Sequence, residues 1–188
     1  MDYEKKQHTH QITYPVKFIS ALFFISLYIG LFPSLLYSQE NTLPEQFQQA
    51  RKLAFDQKTH GARELCYDIL AEAPDYHDVR VLVGQTFIWE NRYDTARKVL
   101  NTVYKQMPGH YDCLHALIDL ERWTEHFSRA LDYADSGLKY YPNDEKMLYK
   151  KAEILSHLDK NNMATQTLDR LLMINPAHKK GNVLYKDL

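Results

Sequence analysis

His110, Cys113 and His115 form the tightest grouping in the chain of side chains able to ligate a transition metal. Imidazole nitrogen and thiolate sulfur are donors that zinc accepts, and a helix presents them together only at spacings of three or four residues. His110 lies ahead of the helical pattern, and Cys113 and His115 fall on different faces, so no metal site is expected here. The paired acids Asp119 and Glu121, and Asp132 and Asp135, could serve as a general acid and base. Their simpler reading is as solvated helix faces. No phosphate-cradling glycine loop, Gly-x-Ser-x-Gly elbow or His-Glu-x-x-His stretch occurs, so the expectation is a protein that is not an enzyme, with no catalytic residues and no cofactor.

Trp89 and Trp123 stand 34 residues apart, followed at equal distance by Tyr93 and Phe127. They could form a ladder of aromatic faces for a partner side chain or a sugar ring, or they could pack between successive structural units.

The interval of 34 governs far more than the tryptophans. Pro74, Pro108, Pro142 and Pro176 keep it, and Ala62, Ala96, Ala130 and Ala164 keep it twelve residues ahead of them. Closing each unit after its proline divides the chain into 43–76, 77–110, 111–144 and 145–178, with a stub over 179–188. The eighth position of each unit holds Ala50, Gly84, Ile118 and Ala152, and the twentieth holds the four alanines. Two helices cross closely where side chains are small, so these mark the contacts between paired helices. Large apolar residues at spacings of three and four fill the rest, as in Val83 and Phe87 facing Ala96, Leu100 and Val103. The first unit is weakest, with Gln46 and Gln49 at positions that are apolar elsewhere, as suits an end with one face in water. Asp94 and Ser128 are placed to cap second helices, and Tyr76, Tyr111, Tyr140 and Tyr141 to pack between units with their hydroxyls in water.

Residues 43–178 resemble the tetratricopeptide repeat (TPR) family, with Gly84, Phe87, Ala96 and Pro108 the best match within one repeat. Arg80 and Gln46 depart from its early aromatic slot, and Lys151 from an expected leucine. The resemblance implies an all-α TPR solenoid of about four helix-turn-helix repeats with a short C-terminal cap segment, eight helices in all. It also implies that first helices line a concave groove containing Phe47, Arg51, Phe55, Val81, Gln85, Trp89, His115, Asp119, Trp123, Tyr149, Glu153 and His157. Partner binding is expected at Trp89, His115, Asp119, Arg122, Trp123, Tyr149 and Glu153, for a protein or peptide ligand. The lysines and asparagines with which some TPR domains grip a terminal carboxylate have no equivalent among Phe47, Val81, His115, Tyr149, Arg51, Gln85, Asp119 and Glu153. More weakly, Asp78–Gly84, Trp89–Asp94 and Asp119–Trp123 resemble the periplasmic TPR segment of YaiO-type outer-membrane β-barrel proteins, which implies as the alternative function a periplasmic TPR arm of an outer-membrane β-barrel or polysaccharide-export assembly, with an outer-membrane partner.

Charge excludes other classes. A formal charge of −1 and a pI near 6.7 describe no polycation, so nucleic acid is not an expected partner, and no small-molecule substrate is indicated. The amino terminus carries Lys5, Lys6 and Lys17, an uncharged run from Phe18 to Leu31, a breaker at Pro33 and a small residue at Ser38. That order is a secretory signal peptide over residues 1–38, cleaved after Ser38, with an uncleaved membrane anchor as the alternative. The expected locale is exported and periplasmic, with possible outer-membrane association. Cys66 and Cys113 read as small apolar fillers rather than a disulfide framework.

Overall fold

The computed structural model describes residues 42–188; the expected signal peptide over residues 1–38 lies outside them. The described residues form helices and turns, with no strand among them. In chain order the helices are α1 (Leu43–Phe55), α2 (Thr59–Glu72), α3 (His77–Trp89), α4 (Tyr93–Gln106), α5 (Tyr111–Trp123), α6 (Phe127–Tyr140), α7 (Glu145–His157), α8 (Asn161–Ile174) and α9 (Lys179–Asp187). Odd helices begin 34 residues apart, as do even ones.

Each within-pair turn closes by one device. Gln57, Asn91, Glu125 and Asp159 adopt left-handed φ values of 54–61°. The next residue's N–H then returns to a carbonyl five residues back, Arg92 to Phe87, His126 to Glu121 and Lys160 to Leu155, each at 2.8–2.9 Å. This turn fixes the next helix start, so the expected caps are displaced: Arg92 and His126 occupy the N-cap positions, and Asp94 and Ser128 lie inside α4 and α6. Asp94 instead pairs with Arg97 at 2.7 Å. Between pairs, Ala73, Met107, Tyr141 and Asn175 leave the helical region just before each proline, whose ring disfavours α geometry in its predecessor. Side-chain caps open α5, α7 and α9: Asp144 Oδ1 accepts from the Met147 N–H at 2.7 Å, and His110 and His178 accept through Nδ1 from the N–H groups of Cys113 and Gly181.

The small residues sit where helices cross. Ala50, Ala62, Ala96, Ala130, Ala152 and Ala164 are fully buried. A Cβ on Gly84 would lie 2.6 Å from a Leu100 methyl, and one on Gly137 2.7 Å from Met147 sulfur. Departures from the repeat pattern are absorbed locally: Arg80 donates to the Pro74 carbonyl at 2.7 Å, and Lys151 pairs with Asp135 at 2.7 Å. Two of the four tyrosine hydroxyls expected in water, those of Tyr111 and Tyr141, are instead bonded. Tyr111 donates to Asp144 at 2.8 Å and Tyr141 to the Gly109 carbonyl at 2.7 Å.

Every helix packs on its chain neighbours. Odd helices also come backbone-close to the next odd helix, whereas even helices stand further apart, α4 and α6 meeting through side chains where Tyr133 donates to Asn101 at 2.9 Å and Tyr104 to Ser136 at 3.0 Å. The odd helices therefore form the inner wall and the even ones the outer. The stub expected over 179–188 is a ninth helix: α9 packs on α8 and α7, with Leu184 and Leu188 against Leu148, Leu168 and Leu171.

Candidate functional groove

Three first helices end on an exposed aromatic residue. At α1, α3 and α5 that residue is Phe55, Trp89 and Trp123, with 67%, 44% and 57% of its surface exposed. The tryptophans are thus not consumed by packing between repeats. Phe55 and Trp89 lie with ring centroids 5.9 Å apart, tilted by 41°. They divide two cavities. One of about 500 Å³ is walled by Ala54, Phe55, Gln57, Thr59, Trp89 and Glu90. The other, of about 260 Å³, is walled by Phe55, Gln85, Ile88, Trp89, His115, Ala116, Asp119 and Trp123. The corresponding residue of α7, His157, is stacked on Phe127 at 4.6 Å and extends the row no further as a free face.

Of the sequence-derived site residues, Trp89, His115, Asp119 and Trp123 surround that one cavity. Arg122, Tyr149 and Glu153 stand around another of about 280 Å³ with Lys146, Lys150, His178 and Lys180. Between the two runs a charge network from α5 to α7. Asp119 takes Lys150 at 2.8 Å and Arg122 at 3.3 Å, and Arg122 reaches Glu153 at 3.1 Å. Tyr149 donates to Glu153 at 3.4 Å. Lys150 also donates to His115 Nδ1 at 3.1 Å; an ammonium has only donors, so Nδ1 is the unprotonated nitrogen. The other nitrogen faces Asp144 at 3.8 Å. Burial, and after it the Lys150 charge, holds the His115 pKa below its ordinary value. Lys150 was not among the residues read from the sequence; its value lies in joining His115 to Asp119, which only the α5–α7 contact reveals.

The expectation of solvated acids holds for Asp132 and fails for the pair at 119 and 121. Glu121 is fully buried, within 2.7 Å of Arg97, 3.3 Å of Arg129 and 3.3 Å of His126. Residues two apart on a helix face different ways, so Asp119 enters the groove network while Glu121 ties α5 to α4 and α6. A parallel tie joins the first two repeats, where Glu90 takes Arg63 at 2.8 Å and the Thr59 hydroxyl at 2.5 Å. Those two hydrogen bonds lower the Glu90 pKa.

His110, Cys113 and His115 diverge. His110 caps α5 and faces Asp78 at 3.0 Å, and Cys113 is buried with its thiol directed at the Leu100 carbonyl. Burial pushes both Cys66 and Cys113 up to about 12, as fits apolar fillers. Among the described residues no group of three His, Cys, Asp or Glu could hold a metal ion.

The tetratricopeptide repeat family model matches residues 56–118. The fold of the described residues is a TPR solenoid. It resembles a tetratricopeptide repeat protein from Parabacteroides merdae (15% identity over 76% of this chain, TM-score 0.68), and spans 57% of that protein's length. It also resembles Pseudomonas aeruginosa pilF (12% identity, 77% of this chain and 66% of that one, TM-score 0.69). YrrB, "a TPR protein with an unusual peptide-binding site", aligns over 92% of this chain and 88% of its own at 12% identity and TM-score 0.64. No curated protein matches. Identities this low establish the solenoid and leave its ligand to the residues of this groove.

Proposed function

We propose that this TPR solenoid is an exported, non-catalytic adaptor of the cell envelope that binds another protein through the inner wall of its odd helices. The carrying observation is the row Phe55, Trp89 and Trp123, rings left 44–67% exposed beside cavities rather than buried in the core. Exposed aromatics next to a concavity are anchors that a partner's side chains can desolvate, and such anchors dominate interface energetics. Support also comes from the peptide-binding site named for YrrB, a solenoid of similar fold. Export rests on the amino-terminal sequence, with its basic region, apolar run and small residue at Ser38.

The test is capture from an envelope extract by wild type, Trp89→Ala, Trp123→Ala and the outer-wall control Lys139→Ala, followed by affinity measurement with the captured partner. Loss of a central aromatic anchor should weaken binding by about 2 kcal/mol or more, roughly thirtyfold, with the control unchanged. Equal binding by all four folded proteins would rule the groove out.

A further inference from the structure

The second residue of each odd helix from α3 onward is exposed and charged, and its sign changes once along the solenoid: Asp78, Asp112, Lys146, Lys180. Asp78 and Asp112 line a cavity of about 290 Å³ in which Arg51 is the facing cation. Lys146 and Lys180 line the cavity of about 280 Å³ shared with Arg122 and Lys150, where Glu153 is the acid present. Helix stabilisation accounts for only half of this column. A helix amino terminus carries partial positive charge, which favours Asp78 and Asp112 in a first turn and disfavours Lys146 and Lys180 there. The lysines work against their own helices, whereas Arg122 and Lys150 beside them are paired with Asp119 and Glu153 and leave Lys146 and Lys180 as the unmatched charge of that cavity. The aromatic cavity of Trp89 and Trp123 lies apart from this column, at the carboxy-terminal ends of α3 and α5.

We propose that the groove binds an extended partner segment polarised along its length, with basic side chains over α3 and α5 and acidic ones over α7 and α9. This rests on the groove reading above and deepens it, by giving the partner a charge order and so a single direction of threading. Packed helices lie about 8–10 Å apart and an extended chain advances about 3.3 Å per residue, so each repeat meets roughly three residues and α3 to α9 about twelve. Complementary potential of this kind sets register and suppresses wrong partners more than it adds raw affinity.

The experiment uses the full chain and four fluorescein-labelled twelve-residue peptides with a central leucine: Lys/Arg in the first half and Asp/Glu in the second, the reverse order, all basic and all acidic. One bipolar order should bind at least tenfold more tightly at 0.15 M salt than either homopolar peptide and should weaken at 0.5 M. Lys146→Glu with Lys180→Glu should cost tenfold or more, and that variant should recover binding with the all-basic peptide. Asp78→Lys with Asp112→Lys should do the converse with the all-acidic one. The proposal is overturned if the acidic peptide equals both bipolar ones and the Asp78/Asp112 variant changes nothing, or if no peptide binds. A Trp89→Ala/Trp123→Ala variant separates the two readings. If peptides bind regardless of charge order and lose binding in that variant, the groove stands and the polarity falls. If charge swaps control binding and the tryptophans do not, the polarity stands and the aromatic anchoring falls.

Discussion

At the scale of single residues, His115 and Glu90 have opposite ionic states at neutral pH and the same consequence in acid. His115 is buried beside Lys150, so the folded chain resists protonating it while the unfolded chain does not. The unfolded state therefore binds more protons once pH falls below about 6.5, and stability declines from there until the depressed folded pKa is reached. Glu90 is held charged by Thr59 and Arg63, and its contribution is present above the ordinary carboxylate range and is lost as pH falls through its lowered folded pKa. Urea midpoints measured from pH 7.5 to 5 should thus fall more for wild type than for His115→Gln; parallel curves would mean that the ring is not protected. Packing gives a second expectation. Ala130 is fully buried at a helix crossing, and Ala130→Leu should cost about 1–3 kcal/mol, several degrees in Tm, where Trp123→Ala, with its exposed ring, should cost little. The small residues were legible in the sequence because a close crossing tolerates nothing else. Exposure of the tryptophans was not, since an aromatic residue at helical spacing has the same pattern whether it packs or projects. The 34-residue step backward from Trp89 to Phe55 was the available sign that a row continued onto the weakest repeat.

Helix boundaries followed from turns and prolines, yet the sequence placed the caps on Asp94 and Ser128, and the structure places Arg92 and His126 there. Each left-handed turn residue takes no glycine in this chain, so the usual sign of helix closure was absent and the boundary could be set only within a residue or two. The ninth helix was missed for a related reason. Lys179–Asp187 is short and rich in lysine, and it becomes a helix because His178 caps it and Leu184 and Leu188 cover the apolar end of α8, a contact no local pattern records. Its role as cover can be measured: truncation after Ala177 should uncover Leu168 and Leu171 and lower Tm, and an unchanged melt would mean that α9 contributes nothing to the solenoid. A sharper element-level test is Asp144→Ala. Asp144 caps α7 and also accepts from Tyr111 across the repeat boundary, so the variant should lose about 1–2 kcal/mol, more than a cap alone at the low end of the usual range.

For the whole molecule, a perfect 34-residue period made the solenoid legible because each repeat packs only on its neighbours, so the same few positions must be small or apolar every time. The groove's charge network was not legible, since Asp119, Lys150, Arg122 and Glu153 come from two repeats and meet only when α5 lies against α7. Export is the remaining whole-molecule expectation, and the two cysteines give it a second observable. A cleaved signal would leave a chain beginning at Gln39, with Cys66 and Cys113 in an oxidising compartment. Both thiols are fully buried, far apart in sequence, and pushed up to about 12, so they should survive there as thiols rather than as a disulfide. Expression in a Gram-negative host, fractionation and mass spectrometry after alkylation check both points together. The expected product is a periplasmic chain starting at Gln39 that takes up no alkylating reagent while native and two equivalents once unfolded. An intact Met1 product in the membrane fraction would favour the anchor. A native chain that reacts at either cysteine would mean that the core around Ala62, Leu100 and Leu117 opens more readily than its packing implies.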